Sequence, residues 1–211
     1  MRNSFWKYLP MDIGRLVCWP LLIGYRHRRI HVSGEPYKEK LKKGGVIIAA
    51  NHVDFGDPFV LGSCFWYRRM YFLTAKEVMA TKLRARLLTG IGCIRIDREA
   101  SDIDAISKCV DVLKEGKCLS VFPQGGLHRD GEVGTIKSGV VLIAVRAGVP
   151  IVPVYSTTRK HWWQRRTEVI GDPIDYRDYC AKRFPSMAEL ERVAEILQEQ
   201  LEACEKRYEQ L

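Results

Sequence analysis

A chain of 211 residues with 46% hydrophobic side chains can bury a sizeable core, which excludes global disorder and leaves room for one large domain or two small ones. Its 34 Lys and Arg against 25 Asp and Glu give a net charge of +9, an excess that calls for an anionic partner: nucleic acid, a membrane surface or an anionic substrate. The seven cysteines, at 18, 64, 93, 109, 118, 180 and 204, are odd in number and form no CxxC pair, which argues for reduced thiols and against a disulfide framework or a metal site.

Residues 5–25 are apolar and aromatic, and Arg26, His27, Arg28 and Arg29 follow them. The charge-free run from Leu16 to Tyr25 is shorter than the about 20 residues that span a bilayer and contains Pro20. It ends in Arg instead of a small-residue cleavage site, unlike a signal peptide. Trp, Tyr and Arg beside an apolar stretch suit a segment lying in the headgroup layer. Residues 1–40 are therefore expected to form an N-terminal membrane-interfacial segment, the alternative being a helix packed on the domain. They hold eight Lys and Arg against three acids; Arg159, Lys160, Arg165 and Arg166 form a second basic cluster around Trp162 and Trp163.

The continuous, β-branched run Val46 to Ala50 reads as a buried strand. Pro58 to Trp66 reads as a helix, Tyr71 to Ala75 as a strand and Lys82 to Thr89 as a helix. Gly92 to Asp97 reads as a strand. Ser101-Asp102-Ile103-Asp104 resembles a capping box opening a helix that Gly116 stops. Cys118 to Phe122 is a strand leading into Pro123-Gln124-Gly125-Gly126. Val140 to Ala147 is a helix, Ile151 to Tyr155 and Thr167 to Ile170 are strands, and residues 187–211 make a long amphipathic helix. This alternation predicts an α/β fold, a largely parallel mixed sheet covered by helices on both faces, over residues 41–211.

In such sheets ligands gather beyond the carboxyl ends of the strands. Three polar loops follow strands there: His52 after 46–50, Arg98 after 92–97, and Gln124-Gly125-Gly126 after 118–122. His52 is a candidate base, because imidazole titrates near neutrality. Asp57, separated from it by four residues, is a candidate to orient the ring. Arg98 offers a forked cation suited to phosphate, or else a salt bridge with Asp97 or Glu99. Gly125 and Gly126 either let a substrate approach the backbone or form a flexible turn, and Lys137, before a helix, is either a second phosphate contact or an ordinary surface lysine. No nucleophile elbow, P-loop or dinucleotide fingerprint is present, so direct attack by a substrate hydroxyl is the expected chemistry.

Asn51-His52-Val53-Asp54-Phe55-Gly56-Asp57 resembles the N-H-x4-D block of the glycerolipid acyltransferases, the 1-acylglycerol-3-phosphate acyltransferase superfamily. GCIRIDR at 92–98, FPQGG at 122–126 and VPIVPV at 149–154 are similar to that family's later blocks, in the same order. The resemblance implies an acyltransferase domain over 41–211. It implies His52 and Asp57 as the catalytic pair, with Arg98, Lys137 and the Gln124-Gly125-Gly126 loop holding the acceptor. It also implies acyl transfer from acyl-CoA or acyl carrier protein to a lysophospholipid hydroxyl, without metal or cofactor, at the cytoplasmic face of an anionic membrane. Where the family usually has Glu, Thr and Arg, this chain has Gln124, Gly126 and Leu127, with His128 and Arg129 next in line to compensate. That departure keeps two alternatives open: a different lyso-lipid acceptor, or a non-catalytic lipid-binding relative. A nucleic-acid module is disfavoured, because the excess charge sits in two aromatic-rich segments and no recognised nucleic-acid motif appears.

Overall fold

The computed structural model describes residues 8–17, 27–33, 43–97, 102–126, 134–158, 166–180 and 185–211. Its centre is a seven-stranded sheet in the order β1-β7-β6-β2-β5-β3-β4. The strands are β1 (His27–His31), β2 (Val46–Ala50), β3 (Met70–Ala75), β4 (Cys93–Ile96), β5 (Cys118–Val121), β6 (Ile151–Ser156) and β7 (Arg166–Ile170). All pairings are parallel except β6 with β7. The helices are α1 (Asp57–Cys64), α2 (Lys82–Gly90), α3 (Ile103–Lys114), α4 (Gly139–Ala147) and α5 (Met187–Glu209).

Alternation along the central strands divides the core in two. Ile47, Ala49, Leu119 and Val121 face α3, α4 and α5; Val46, Ile48, Ala50 and Cys118 face α1. Every residue of β2 and β5 is buried, as a strand covered on both faces requires. The expected α/β sheet with helices on both faces is thus what the chain forms.

Local signals account for the helix ends. Asp102 caps α3 by accepting from the Ala105 N–H at 2.9 Å. The cap is therefore Asp102, and Ser101 lies outside the described residues. Ser186 and Glu189 form a reciprocal capping box at the start of α5, one the sequence reading passed over. Gly148, with φ +70°, closes α4.

The N-terminal region differs most from expectation. Residues 27–31, read as charge flanking an interfacial segment, are a strand paired in parallel with β7. Two arginines and two histidines over five residues concealed it; the partner is supplied from more than 130 positions downstream. Residues 8–17 are helical and lie on the domain: Tyr8 and Met11 are buried, Arg69 pairs with Asp12 at 2.8 Å, and Tyr8 Oη donates to Glu115 at 2.9 Å. Ile13, Leu16 and Val17 on the same helix remain exposed. Among the described residues, no helix is long and apolar enough to cross a membrane.

Candidate active site

The site grows from the carboxyl end of β2. Asn51, fully buried, turns its amide to β6: Nδ2 donates to the Ser156 carbonyl at 3.0 Å, and Oδ1 accepts from the Ser156 N–H at 2.7 Å. That two-way bond replaces the ladder where β2 ends and fixes the direction in which the chain leaves it. His52 comes next. Its backbone N–H donates to Gln124 Oε1 at 3.2 Å, joining this loop to the one after β5. Its ring stacks on Phe122 with centroids 4.1 Å apart and planes 17° apart.

Asp57 opens α1, with Pro58 following inside the first turn where no amide hydrogen is needed. The chain between folds tightly, the Gly56 N–H donating to Asp54 Oδ1 at 2.5 Å. The Asp57 carboxylate thereby returns to the histidine, with Oδ2 2.7 Å from His52 Nδ1. The same oxygen accepts from the N–H groups of Val53 at 2.7 Å and Asp54 at 3.0 Å. Asp57 is fully buried, while the His52 side chain is 16% exposed. Burial opposes the carboxylate's charge, but the His52 bond, the Arg166 charge and the Asp54 backbone bond outweigh it. The carboxyl is held below its ordinary 3.8.

Arg166 stands behind Asp57. In the sequence it belongs to the basic cluster around Trp162 and Trp163; in the fold its side chain is 1% exposed. Nη1 donates to Asp54 Oδ2 at 3.1 Å, Nη2 lies 2.6 Å from Asp57 Oδ1, and Nε lies 3.7 Å from Glu168 Oε1. Neither of the last two contacts has aligned hydrogen-bond geometry. Glu168 is buried beside the Ser156 hydroxyl, which donates to it, and burial raises its carboxyl to about 8 despite Arg166. The pattern Arg166-Thr167-Glu168-Val169-Ile170 carried a signal: residues two apart share a strand face, so Arg166 and Glu168 point where buried Ile170 points.

A cavity of about 240 Å³ opens beyond Phe122, lined by Asp97, Asp102, Gly125, Lys137 and Gly139 together with apolar residues. Lys137 and Gly125 therefore meet at this cavity. Gly125 has φ +76°, and a Cβ there would stand 3.4 Å from the Lys137 ammonium. Gly126 has open space around it. Gln124 is buried against the His52 backbone and does not line the cavity. Asp97 is held by Lys76 at 2.9 Å. Arg98, Leu127, His128, Arg129, Trp162 and Trp163 lie outside the described residues. The loops after β2 and β5 thus converge through the His52–Gln124 bond and the His52–Phe122 stack, and the residue preceding Arg98 lines the cavity with Phe122 and Gly125.

The acyltransferase family model matches residues 29–157, more than half of the chain and all of the His52, Gln124 and Lys137 loops. The chain belongs to this family. Among curated acyltransferases, it is 27% identical over 172 residues to the 1-acyl-sn-glycerol-3-phosphate acyltransferase of Bacillus subtilis, covering 79% of this chain and 84% of that protein. It is 26% identical over 140 residues to the chloroplastic enzyme LPAT1 of Arabidopsis thaliana, covering 64% of this chain but only 38% of that longer protein. The crystal structure of PlsC, the 1-acyl-sn-glycerophosphate acyltransferase of Thermotoga maritima, shares the fold with a TM-score of 0.64 at 22% identity. That likeness covers 99% of this chain and 83% of that one. Arg166 and Glu168 lie beyond the residues matched by the acyltransferase model.

Proposed function

We propose that this acyltransferase moves a fatty acyl chain from a thioester donor, acyl-CoA or acyl carrier protein, to the free hydroxyl of 1-acylglycerol-3-phosphate, giving phosphatidate. The observation that carries the reading is the 2.7 Å contact between His52 Nδ1 and a buried Asp57 carboxylate, beside a cavity carrying Lys137 and Gly125. With the ring proton on Nδ1 directed at Asp57, Nε2 is the basic nitrogen. It takes the hydroxyl proton as the acceptor oxygen attacks the thioester carbonyl. The tetrahedral intermediate collapses, the C–S bond breaks, and the imidazolium returns its proton to the departing thiolate. No step passes through a metal, a cofactor or an acyl-enzyme. Lys137, the backbone at Gly125-Gly126 and Arg98 are assigned to the acceptor phosphate.

The second reading, a different lyso-lipid acceptor, is favoured by one observation: Gln124 supports the His52 backbone, so the third block offers no side-chain charge to the cavity. A panel decides between them: purified protein, labelled acyl-CoA or acyl carrier protein, and lysophosphatidate beside lysophospholipids with larger headgroups. Preference for lysophosphatidate supports the first reading, and preference for another headgroup the second. Donor binding with no transfer to any acceptor ends both, in favour of a non-catalytic relative.

The site is further proposed to work at the cytoplasmic face of an anionic membrane, with the protein peripheral or monotopic. Support comes from exposed Ile13, Leu16 and Val17, and from α2, which has no buried residue and exposes Leu83 and Leu87 among Lys82, Arg84 and Arg86. Sedimentation with liposomes tests this. Binding should rise with anionic lipid content and fall with salt; indifference to both would remove the electrostatic part.

A further inference from the structure

The Arg166 guanidinium has no part in the chemistry just described, yet it is buried against the dyad, with its side chain 1% exposed. Asp57 Oδ2 already accepts from His52, Val53 and Asp54, and Oδ1 turns to Arg166. We propose that Arg166 is a positioning residue of this acyltransferase. Gripping Asp57 from the side opposite His52, it fixes the carboxylate and balances its charge, so that the ring remains the neutral, Nδ1-protonated form able to accept a proton.

A buried carboxylate with no counter-charge, 2.7 Å from an imidazole, draws a second proton onto the ring. A doubly protonated ring accepts nothing and is no base. With Arg166 present, the enclosed charges are one plus and one minus. The groups facing the guanidinium are consistent with that balance. Asp54 sits at the rim, its side chain 41% exposed, where water screens it. Glu168 is kept protonated at neutral pH by burial, so it does not compete with Asp57 for the cation. Ser156 of β6 donates to Glu168, Cys64 of α1 is a buried thiol pushed upward by burial, and Arg29 of β1 is turned to the Cys64 carbonyl at 3.0 Å. None of these places another free negative charge next to the pair.

The inference rests on His52 being the base of the proposed reaction, so its test needs a measurement made without substrate. Ring nitrogen NMR on protein labelled at histidine, with His52 assigned by comparison with His52→Ala, reports how many protons the ring carries. In the native protein at pH 7, His52 should show one N–H, at Nδ1. In Arg166→Met it should show two, and the acid limb of the kcat/KM profile should move up by about one pH unit. KM for acyl-CoA should stay within about twofold, because no substrate contact is lost. Arg166→Lys, which keeps the charge, should restore the single N–H and the native limb. A packing role alone would lower activity without moving the limb.

A folded Arg166→Met protein with a native ring signal and an unmoved limb overturns the proposal, as does an Arg166→Lys ring carrying two protons. Should Arg166→Met fail to fold, Arg166→Met with Glu168→Gln removes the guanidinium and its titratable neighbour together and is read by the same criteria. If the native protein transfers to no acceptor, the proposed function fails while the NMR result on Arg166 still stands.

Discussion

The side-chain oxygen of Gln124 accepts the backbone N–H of His52 at 3.2 Å, so the loop after β5 holds up the candidate base from below. A glutamate, usual at this place in the family, keeps an acceptor there; an alanine leaves a donor unpaired. Gln124→Ala should lower stability by about 1–2 kcal/mol and reduce acyl transfer. Gln124→Glu should keep the fold and turnover within a few-fold of native. Denaturant titration and a thiol-release assay measure the two; full turnover in the alanine variant would deny Gln124 any part in supporting His52.

His52 and Asp57 should both be required for transfer, and only His52 should be dispensable for folding. Removing a positioned general base typically costs about 10²–10⁴ in rate, so His52→Ala should lose at least about 100-fold in kcat. Its melting temperature should stay near native, since the ring is partly exposed. Asp57→Asn should lose activity and stability together, because it leaves the fully buried Arg166 without its closest partner. Normal turnover in His52→Ala would end the base assignment.

Asn51 makes no contact with the cavity, but it bridges β2 and β6 through both its amide atoms. Asn51→Ala orphans a buried N–H and a buried carbonyl of Ser156. Each unsatisfied group costs about 1–3 kcal/mol, so a loss of about 2–4 kcal/mol is expected by chemical denaturation. A variant as stable as native would mean that water takes over both bonds.

Glu168 makes stability fall as pH rises. Its folded carboxyl titrates near 8 against an ordinary 4.5, so between these values the folded protein holds a proton that the unfolded chain has released. Its contribution is complete below 4.5, declines above it, and is gone once the pH passes about 8. Asp57 runs the other way: its folded value is depressed, so its contribution is present above 3.8 and lost as pH falls through the lower folded value. Glu168→Gln stays neutral throughout, and its melting temperature should decline less than native from about pH 5 to about pH 9. Parallel curves for the two proteins would contradict the buried, protonated assignment.

The parts legible in the sequence were those with dense local signals. Continuous apolar runs gave β2, β5 and β6; Gly116 and Gly148 gave the ends of α3 and α4. The His52–Asp57 pair followed from one motif contained within a single turn. What stayed hidden depends on distant partners. β1 is a strand because β7 pairs with it, and only Ile30 of its own five residues is apolar. Arg166 reads as surface charge until strand periodicity places it on the face of Ile170. Gln124 was assigned to the acceptor because side-chain direction in a loop has no sequence period to reveal it.

The antiparallel run of β7 against β6 pairs Ser156 with Glu168 and Val154 with Ile170. Sliding that pairing by a single position would turn Thr167 inward and send the Arg166 and Glu168 side chains out to solvent. The register of these two strands thereby acts as a ruler for the interior. A residue inserted between Arg166 and Glu168 reaches the heart of the molecule, because it turns one of the two away from the buried face.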